Sequence, residues 1–268
     1  MMTPLLRRLG PAGAGMLAAL LACVPRAAAD GAALQAELLS AAPAVAPFDV
    51  DDPAPLAWES PKRPEAKMWS EYSFRVVNQY LDVLDQARDI ELFCPKYRAL
   101  DRARKVETWA DVMAGISYWE TGWDPRNRTP EGDQGVDDVT KRPVYSEGLL
   151  QLSYQDQESN PYCVFDWNKD QLLPETDLRR TILNPYNNLY CGIRIMADLV
   201  KANGRIVVAR GGYWSTVQAG NIHDRARQIE RRVGSLPFCG GRSGSGVNDK
   251  MLGALKKLQT DIKRLQDN

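Results

Sequence analysis

The residue best suited to chemistry in this sequence is a glutamate between two tryptophans, Glu120 in the segment ISYWETGWDP. It lies four residues after Ile116 and seven after Met113, which places it on the buried face of a helix predicted over about residues 97–119. Burial disfavours an ionised carboxylate, so we expect a raised pKa. A protonated carboxylic acid can donate a proton to a leaving group. The alternative is a buried ion pair with an arginine, and this segment alone favours neither.

The proline of the same segment sets the expected edge of a site. We expect Asp124-Pro125 to end the helix, because proline cannot continue it. Glu120 would then lie at a helix end, beside a cleft.

Three later segments carry residues that can bind a polar substrate. They read SEGLLQ from Ser146, NPYNNLYCG from Asn184 and GGYWS from Gly211. Gly148 permits a close backbone approach, Gln151 both donates and accepts hydrogen bonds, and Tyr213 can reach a neighbouring carboxylate. Each segment also fits an ordinary role, respectively a turn, a capped helix start at Asn184 and a buried aromatic pair.

Taken in order, the four segments resemble the motifs of the soluble lytic transglycosylases, bacterial relatives of goose-type lysozyme. The family has a glutamate before a small hydroxyl residue, then Gly-Leu-Met-Gln, an Asn-rich helix start leading to a glycine, and Ala-Tyr-Asn. The matching residues are Glu120-Thr121 ahead of Pro125, Gly148-Leu149-Leu150-Gln151, Asn187-Asn188-Leu189 leading to Gly192, and Gly212-Tyr213-Trp214. The resemblance covers about residues 95–235.

The chain departs from the family pattern in three places. Leu150 replaces methionine, and Trp214 replaces the asparagine of the last motif, so the contact of that asparagine is in question. The stretch between Glu120 and Gly148 is longer than usual and acidic. A longer loop there could narrow the cleft.

The resemblance implies a mainly α, lysozyme-like helical domain with a small irregular or hairpin lobe at the cleft. It also implies a cofactor-free lyase that acts on peptidoglycan strands. Glu120 would protonate the oxygen between N-acetylmuramic acid and N-acetylglucosamine, then take the proton of the sugar's 6-hydroxyl, giving a 1,6-anhydro product. Gln151 and Tyr213 would bind sugar or orient Glu120, and Ser146 would assist.

Two rival functions remain at this stage. A standard glycosidase needs a second carboxylate, for which the acidic loop offers Asp133, Asp137 and Asp138. If one of them reached across the cleft, water would attack and the protein would be a hydrolytic muramidase, although a solvated surface loop is the simpler interpretation. The second rival is a non-catalytic glycan-binding or scaffold module of an envelope machine, in which a partly buried carboxylate would have no use.

Hydrophobic periodicity predicts that helices dominate. One begins near Lys67, one runs from Pro185 to about Lys201, and shorter ones lie around Tyr213 and over residues 223–233. The segment over residues 149–155 could begin another.

The organisation around this domain, residues 67–240, follows from composition. Residues 1–29 have a positive start at Arg7 and Arg8, a short apolar stretch and an Ala-Ala-Ala end, as an export signal does. Export would make the protein periplasmic or secreted; a lipoprotein anchored at Cys23 is the minor alternative. Residues 30–66 are rich in alanine and proline and predict a flexible tether. Residues 241–268 combine a Gly/Ser linker with an amphipathic helix, which would dock on its own domain or on an envelope protein partner.

Four cysteines remain after the predicted signal, and they suggest two disulfides. We predict Cys163–Cys191, which pins a loop to the following helix, and Cys94–Cys239, which joins the ends of the domain. The absence of any CxxC motif and the single histidine, His223, argue against zinc. Without residues 1–29 the chain has 31 basic and 34 acidic residues, so no electrostatic case exists for nucleic-acid binding.

Overall fold

The computed structural model describes residues 26–240, and three long helices form its centre. Helix α2 (Ala66–Leu84) packs against both α4 (Arg102–Thr121) and α7 (Pro185–Asn203). The other helices are α1 (Arg26–Ser40), α3 (Ile90–Phe93), α5 (Asp156–Ser159), α6 (Trp167–Asp170) and α8 (Ala226–Val233). The predicted mainly α class is confirmed. Over residues 26–240 no helix combines the length and apolar character that a membrane span requires.

Helix α4 runs through the core and is buried over most of its length. Val106, Trp109 and Met113 are almost fully buried along it, and the Trp109 indole donates a hydrogen bond to the Tyr97 hydroxyl at 2.8 Å. Helix α8 packs against α4, and Gly115 allows the close approach, since a Cβ there would lie 2.7 Å from Ile229. The core therefore fixes the helix whose last turn carries Glu120.

The ends of α4 and α7 show which residues start and stop these helices. The Asp101 side chain caps α4 by accepting from the Arg104 N–H at 2.9 Å. Asn184 caps α7 as predicted, with Pro185 in the first turn. The expected stop at Pro125 was wrong: α4 ends at Thr121, because Gly122 takes the left-handed conformation with φ 62°.

The lobe between Glu120 and Gly148 contains a short antiparallel hairpin. Strand β1 (Arg128–Pro130) pairs with β2 (Tyr145–Glu147), with Thr129 opposite Ser146. The buried Glu147 carboxylate of β2 pairs with Arg128 of β1 at 2.8 Å, and with Arg180 at 2.9 Å, which ties the hairpin to the segment that precedes α7. The predicted small hairpin lobe is confirmed.

Residues 30–66 are not the flexible tether that their composition suggested. They contain most of α1, which packs on α7, and Leu38, Leu56 and Trp58 are buried in the core. Backbone N–H groups of Ala54 and Ala57 donate to Glu107 and Asp111 on α4, at 2.7 and 2.8 Å. Buried apolar side chains and buried acceptors thus order this segment, and packed structure begins well before residue 67.

Several shorter elements also differ from the prediction. The segment over residues 149–155 forms turns, because Gly148 and Gln151 have φ values of 76° and 51°, which a right-handed helix excludes. The helix predicted around Tyr213 is a single 3₁₀ turn over Ser215–Val217, and α8 starts at Ala226 rather than His223. The helix predicted over residues 97–119 is divided into a 3₁₀ turn (Tyr97–Ala99) and α4.

Both predicted disulfides are present. Cys94 is bonded to Cys239 and Cys163 to Cys191, with sequence separations of 145 and 28 positions. Paired cysteines of this kind are typical of an extracellular or periplasmic protein. Cys23 and most of the predicted signal, as well as the linker and helix over residues 241–268, lie outside the described residues.

Candidate active site

A cleft of about 530 Å³ opens between the last turn of α4, the hairpin and the segments around residues 151–156 and 213–216. Glu120, Ser146, Gln151 and Tyr213, the four residues singled out in the sequence, all line it. They come from three separate segments, around Glu120, Ser146–Gln151 and Tyr213, that only the fold brings together. Their roles in chemistry stay predictions.

The carboxylate of Glu120 is half-buried at the wall of the cleft. Burial raises its pKa, and the negative charge of Glu131 acts in the same direction. The Thr216 hydroxyl donates to Oε1 at 2.7 Å and acts in the opposite direction, since it stabilises the ionised form. No arginine or lysine forms an ion pair with Glu120 among the described residues, so the buried ion-pair alternative is not what this part of the chain shows.

The turn from Gly148 to Gln151 is held against α7 by a buried asparagine. The Asn188 side chain accepts from the Leu150 N–H at 2.8 Å and donates to the Glu147 carbonyl at 3.1 Å. Gly148 is required at this contact, since a Cβ there would lie 2.4 Å from the Asn188 amide. Asn188 therefore sets the turn that brings Gln151 to the cleft wall.

Gln151 occupies a conformation that is costly for a residue other than glycine, with φ 51°. Its side-chain amide donates to the Gly148 carbonyl at 3.1 Å, and its own backbone N–H donates to the same carbonyl. These bonds use one amide N–H, so the side-chain carbonyl remains as an acceptor at the cleft wall.

Tyr213 and Trp214, of the last motif, contact the turn from Gly148 to Gln151 and the segment that follows it. The Trp214 indole N–H donates to the Leu150 carbonyl at 2.8 Å, which ties this segment to the Gly148–Gln151 turn. Tyr213 does not hydrogen-bond to Glu120; its hydroxyl donates to the Asp156 carboxylate. Thr216 therefore contacts the Glu120 carboxylate directly, and the alternative role of Tyr213, in binding sugar, stays a prediction.

The acidic residues that line the cleft beside Glu120 are not the three aspartates considered from the sequence. Asp137 is buried; it accepts from the N–H groups of Val139 and Thr140 in its own loop, and from that of Gln155, which ties the loop to the segment before α5. Asp133 and Asp138 are exposed, and neither lines the cleft.

Glu131 and Asp156 line the cleft in their place. Glu131 directly follows β1, and its position depends on the hairpin folding back over the end of α4. Asp156 accepts from the Ser153 N–H and hydroxyl and from Tyr213, and burial is the main cause that raises its pKa. The only sequence signal for Glu131 was its place in an acidic run, and Thr216 gave none.

No family model and no curated protein matches the chain. Among solved structures, DslA of Bdellovibrio in its wild-type form is 28% identical, with a TM-score of 0.55 over 69% of this chain and 98% of DslA. Two further structures are DslA variants, at 29% and 28% identity with TM-scores of 0.55 and 0.53; they cover 69% and 67% of this chain, and 97% and 94% of theirs. The chain is therefore similar in fold to nearly the whole of DslA.

The two DslA variants carry a further piece of information. In each, one glutamate is replaced by glutamine, and the two positions are eleven apart. Eleven positions also separate Glu120 from Glu131.

Within residues 26–240 no cluster of histidine, cysteine and acidic side chains is arranged to hold a metal ion.

Proposed function

We propose that this protein cleaves the β-1,4 bond between N-acetylmuramic acid and N-acetylglucosamine in peptidoglycan, outside the cytoplasm and in the periplasm of its cell. The supporting observation is Glu120, a half-buried carboxylic acid with a raised pKa, at the wall of a polar cleft of about 530 Å³. Such an acid can protonate a glycosidic oxygen near neutral pH, and the reaction needs no cofactor.

The first route is that of a lytic transglycosylase, which the motif resemblance implies. Glu120 gives its proton to the leaving oxygen and then, as a carboxylate, removes the proton of the 6-hydroxyl of the same muramic acid. That oxygen closes on the anomeric carbon, so no water enters and a 1,6-anhydro end forms. This route needs only one carboxylate, and Gln151 and Ser146 line the cleft where they can bind the sugar.

A second route, hydrolysis by a muramidase, is favoured by one specific observation. Glu131 lines the same cleft and is near enough to raise the pKa of Glu120. A glycosidase uses a second carboxylate of this kind as base or as nucleophile. The matched spacing of the two glutamates substituted in DslA also supports Glu131 in such a role.

Mass analysis of the sugars released from purified peptidoglycan tests the proposal and separates the two routes. Anhydro ends would support the lyase, and reducing ends would support the muramidase. We expect Glu131→Gln to leave an anhydro product almost unaffected, but to reduce a hydrolytic rate by about 10²–10⁴-fold, as loss of a general base does.

Failure to release any sugar would contradict both routes. Binding of strands without cleavage would then support the non-catalytic glycan-binding module instead. A role for residues 241–268 in docking an envelope partner stays a separate hypothesis.

A further inference from the structure

Three aromatic side chains cluster beside the cleft, at the end of α4. The Tyr118 ring lies 5.1 Å from the Trp119 ring and 4.7 Å from the Trp123 ring, between centroids. Tyr118 and Trp119 are 45% and 39% exposed, although large aromatic side chains are usually covered. We call these three residues the aromatic shelf. Exposed apolar surface next to a polar cleft commonly marks a binding site.

The shelf forms one side of a second cavity of about 310 Å³, whose other walls include Gln228, Ile229 and Arg232. Trp119 lines both this cavity and the cleft that contains Glu120. The Arg225 guanidinium, which also lines the cleft, lies 5.1 Å from the Trp119 ring centroid. The shelf is therefore continuous with the candidate active site.

The backbone at the shelf is strained in a way that supports a role in binding. Trp123 has φ 66°, directly after the left-handed Gly122. A left-handed conformation is costly for a bulky residue, and such residues are concentrated at ligand sites. The indole of Trp123 is held by its N–H, which donates to the Ala114 carbonyl at 2.8 Å. The chain thus keeps a large flat ring at the end of α4 where a small residue would fit the backbone better.

The chemistry of the cavity matches a saccharide. A pyranose ring has a face of C–H bonds that can lie on an aromatic surface, and hydroxyl or acetamido groups at its edge. The Gln228 side chain forms no hydrogen bond within residues 26–240, so its amide can bind such groups.

We propose that the aromatic shelf is an additional saccharide subsite, which holds the peptidoglycan strand beyond the bond at Glu120. The inference rests on the proposed function, because the occupant is the continuation of the same strand. The subsite would make binding depend on strand length. Short oligomers would fill the cleft alone, and longer ones would also contact the shelf.

The test is calorimetric binding of peptide-free peptidoglycan oligomers of two lengths to the full chain carrying Glu120→Gln, so that no turnover is needed. Tyr118→Ala in this background should weaken binding of the long oligomer by about 3- to 10-fold, the usual worth of one aromatic contact, and leave the short oligomer unchanged. Tyr118→Phe keeps the ring and should restore long-oligomer binding. Leu172→Ala, at a side chain 82% exposed elsewhere on the surface, is the matched control.

Two results would overturn the subsite. If Tyr118→Ala weakened binding of the short and the long oligomer equally, Tyr118 would act through the cleft. If it weakened binding of neither, the shelf would not bind sugar. A loss seen only with peptide-bearing strands would assign the shelf to the stem peptide and contradict the saccharide. If the wild-type chain releases no sugar while the length-dependent loss is observed, the proposed cleavage fails and the subsite stands.

Discussion

Helix α4 carries buried carboxylates in two regions, and their partners differ. In its first half, Glu107 and Asp111 have no exposed surface, and their oxygens accept backbone N–H groups from residues 54 and 57. At its end, Glu120 is only half-buried and has one hydroxyl donor, Thr216, with an open cleft beside it. Burial is the main cause that raises the pKa of all three carboxyl groups.

The difference teaches that a raised pKa alone does not identify a catalytic acid. Glu107 and Asp111 use their acceptors to hold the chain, and Arg104 and Arg232 lie 2.6 and 3.4 Å from them. Glu120 keeps accessible surface, and its oxygens do not accept backbone N–H groups or pair with an arginine in the described part of the chain. Its proton is therefore available to a ligand. We therefore expect removal of a structural carboxylate to lower stability without affecting chemistry, and removal of the Glu120 carboxylate to affect chemistry without lowering stability.

The largest expected effect is on turnover. Glu120→Gln is nearly isosteric but cannot donate a proton, so we expect activity on purified sacculi to fall by about 10²–10⁴-fold. Glu91→Gln, on the exposed surface of α3, is the matched control and should keep full activity. Retention of most activity in Glu120→Gln would remove Glu120 from the mechanism and leave α4 with structural carboxylates only.

The same variant should be more stable than the wild type at neutral pH. A carboxyl group whose pKa is higher in the folded than in the unfolded state keeps its proton on folding, so stability falls as pH rises above the ordinary glutamate range. Glutamine does not titrate and avoids this loss. We expect the free energy of unfolding to increase by about 0.5–2 kcal/mol at pH 7, the usual gain from a single stabilising substitution, and not to change at acid pH. Denaturant unfolding at both pH values measures it.

The next effect should appear in the first half of α4. Asp111→Ala leaves the Ala57 N–H without its acceptor and Arg232 without its partner, so we expect a loss of about 2–4 kcal/mol in unfolding free energy. Activity per folded molecule should stay unchanged. Asp82→Ala removes an ion pair with Arg102 from a side chain that is 89% exposed, and should cost less than about 1 kcal/mol. Equal losses in the two variants would contradict the structural role of Asp111.

These two regions also differ in how much the sequence reveals. The stripe containing Ile116 and Glu120 is local, and so is the cap at Asn184-Pro185, so spacing alone predicted both. The anchoring of residues 54 and 57 depends on side chains more than 50 positions away, and composition pointed to the opposite conclusion. Glu131 and Thr216 reach the cleft only because the hairpin and the 3₁₀ turn fold back on the end of α4. A single sequence does not specify such long-range contacts. The order of the short motifs was nevertheless enough to predict that Ser146, Gln151 and Tyr213 lie in one site.

A milder substitution sharpens the structural side of the comparison. Asp111→Asn keeps one side-chain carbonyl that can accept the Ala57 N–H, and it removes the buried charge. We expect it to recover most of the stability lost in Asp111→Ala and to lie within about 1 kcal/mol of the wild type at pH 7. Because the pKa of Asp111 is raised by burial, the wild type should lose stability relative to this variant as pH increases above the ordinary aspartate range. A loss as large as that of Asp111→Ala would mean that the charge itself holds residues 54–57.

The smallest effect concerns the hydrogen bond that Glu120 accepts from Thr216. Thr216→Val is close in shape and removes the hydroxyl that lies 2.7 Å from Oε1. That hydrogen bond stabilises the carboxylate, so its loss should raise the pKa of Glu120 further. A general acid works only while protonated, and the alkaline limb of the pH–rate profile reports its pKa. We therefore expect this limb to move to higher pH, with a change of less than about tenfold in the rate at the optimum, the worth of one hydrogen bond. Thr108→Val, at a buried hydroxyl on α4 that donates to the Arg104 carbonyl, is the control and should not move the limb. If the alkaline limb did not move in Thr216→Val, Glu120 would not be the group that titrates in the reaction. If the limb moved to lower pH, the hydroxyl would stabilise the protonated acid, and the assigned direction of this hydrogen bond would be reversed.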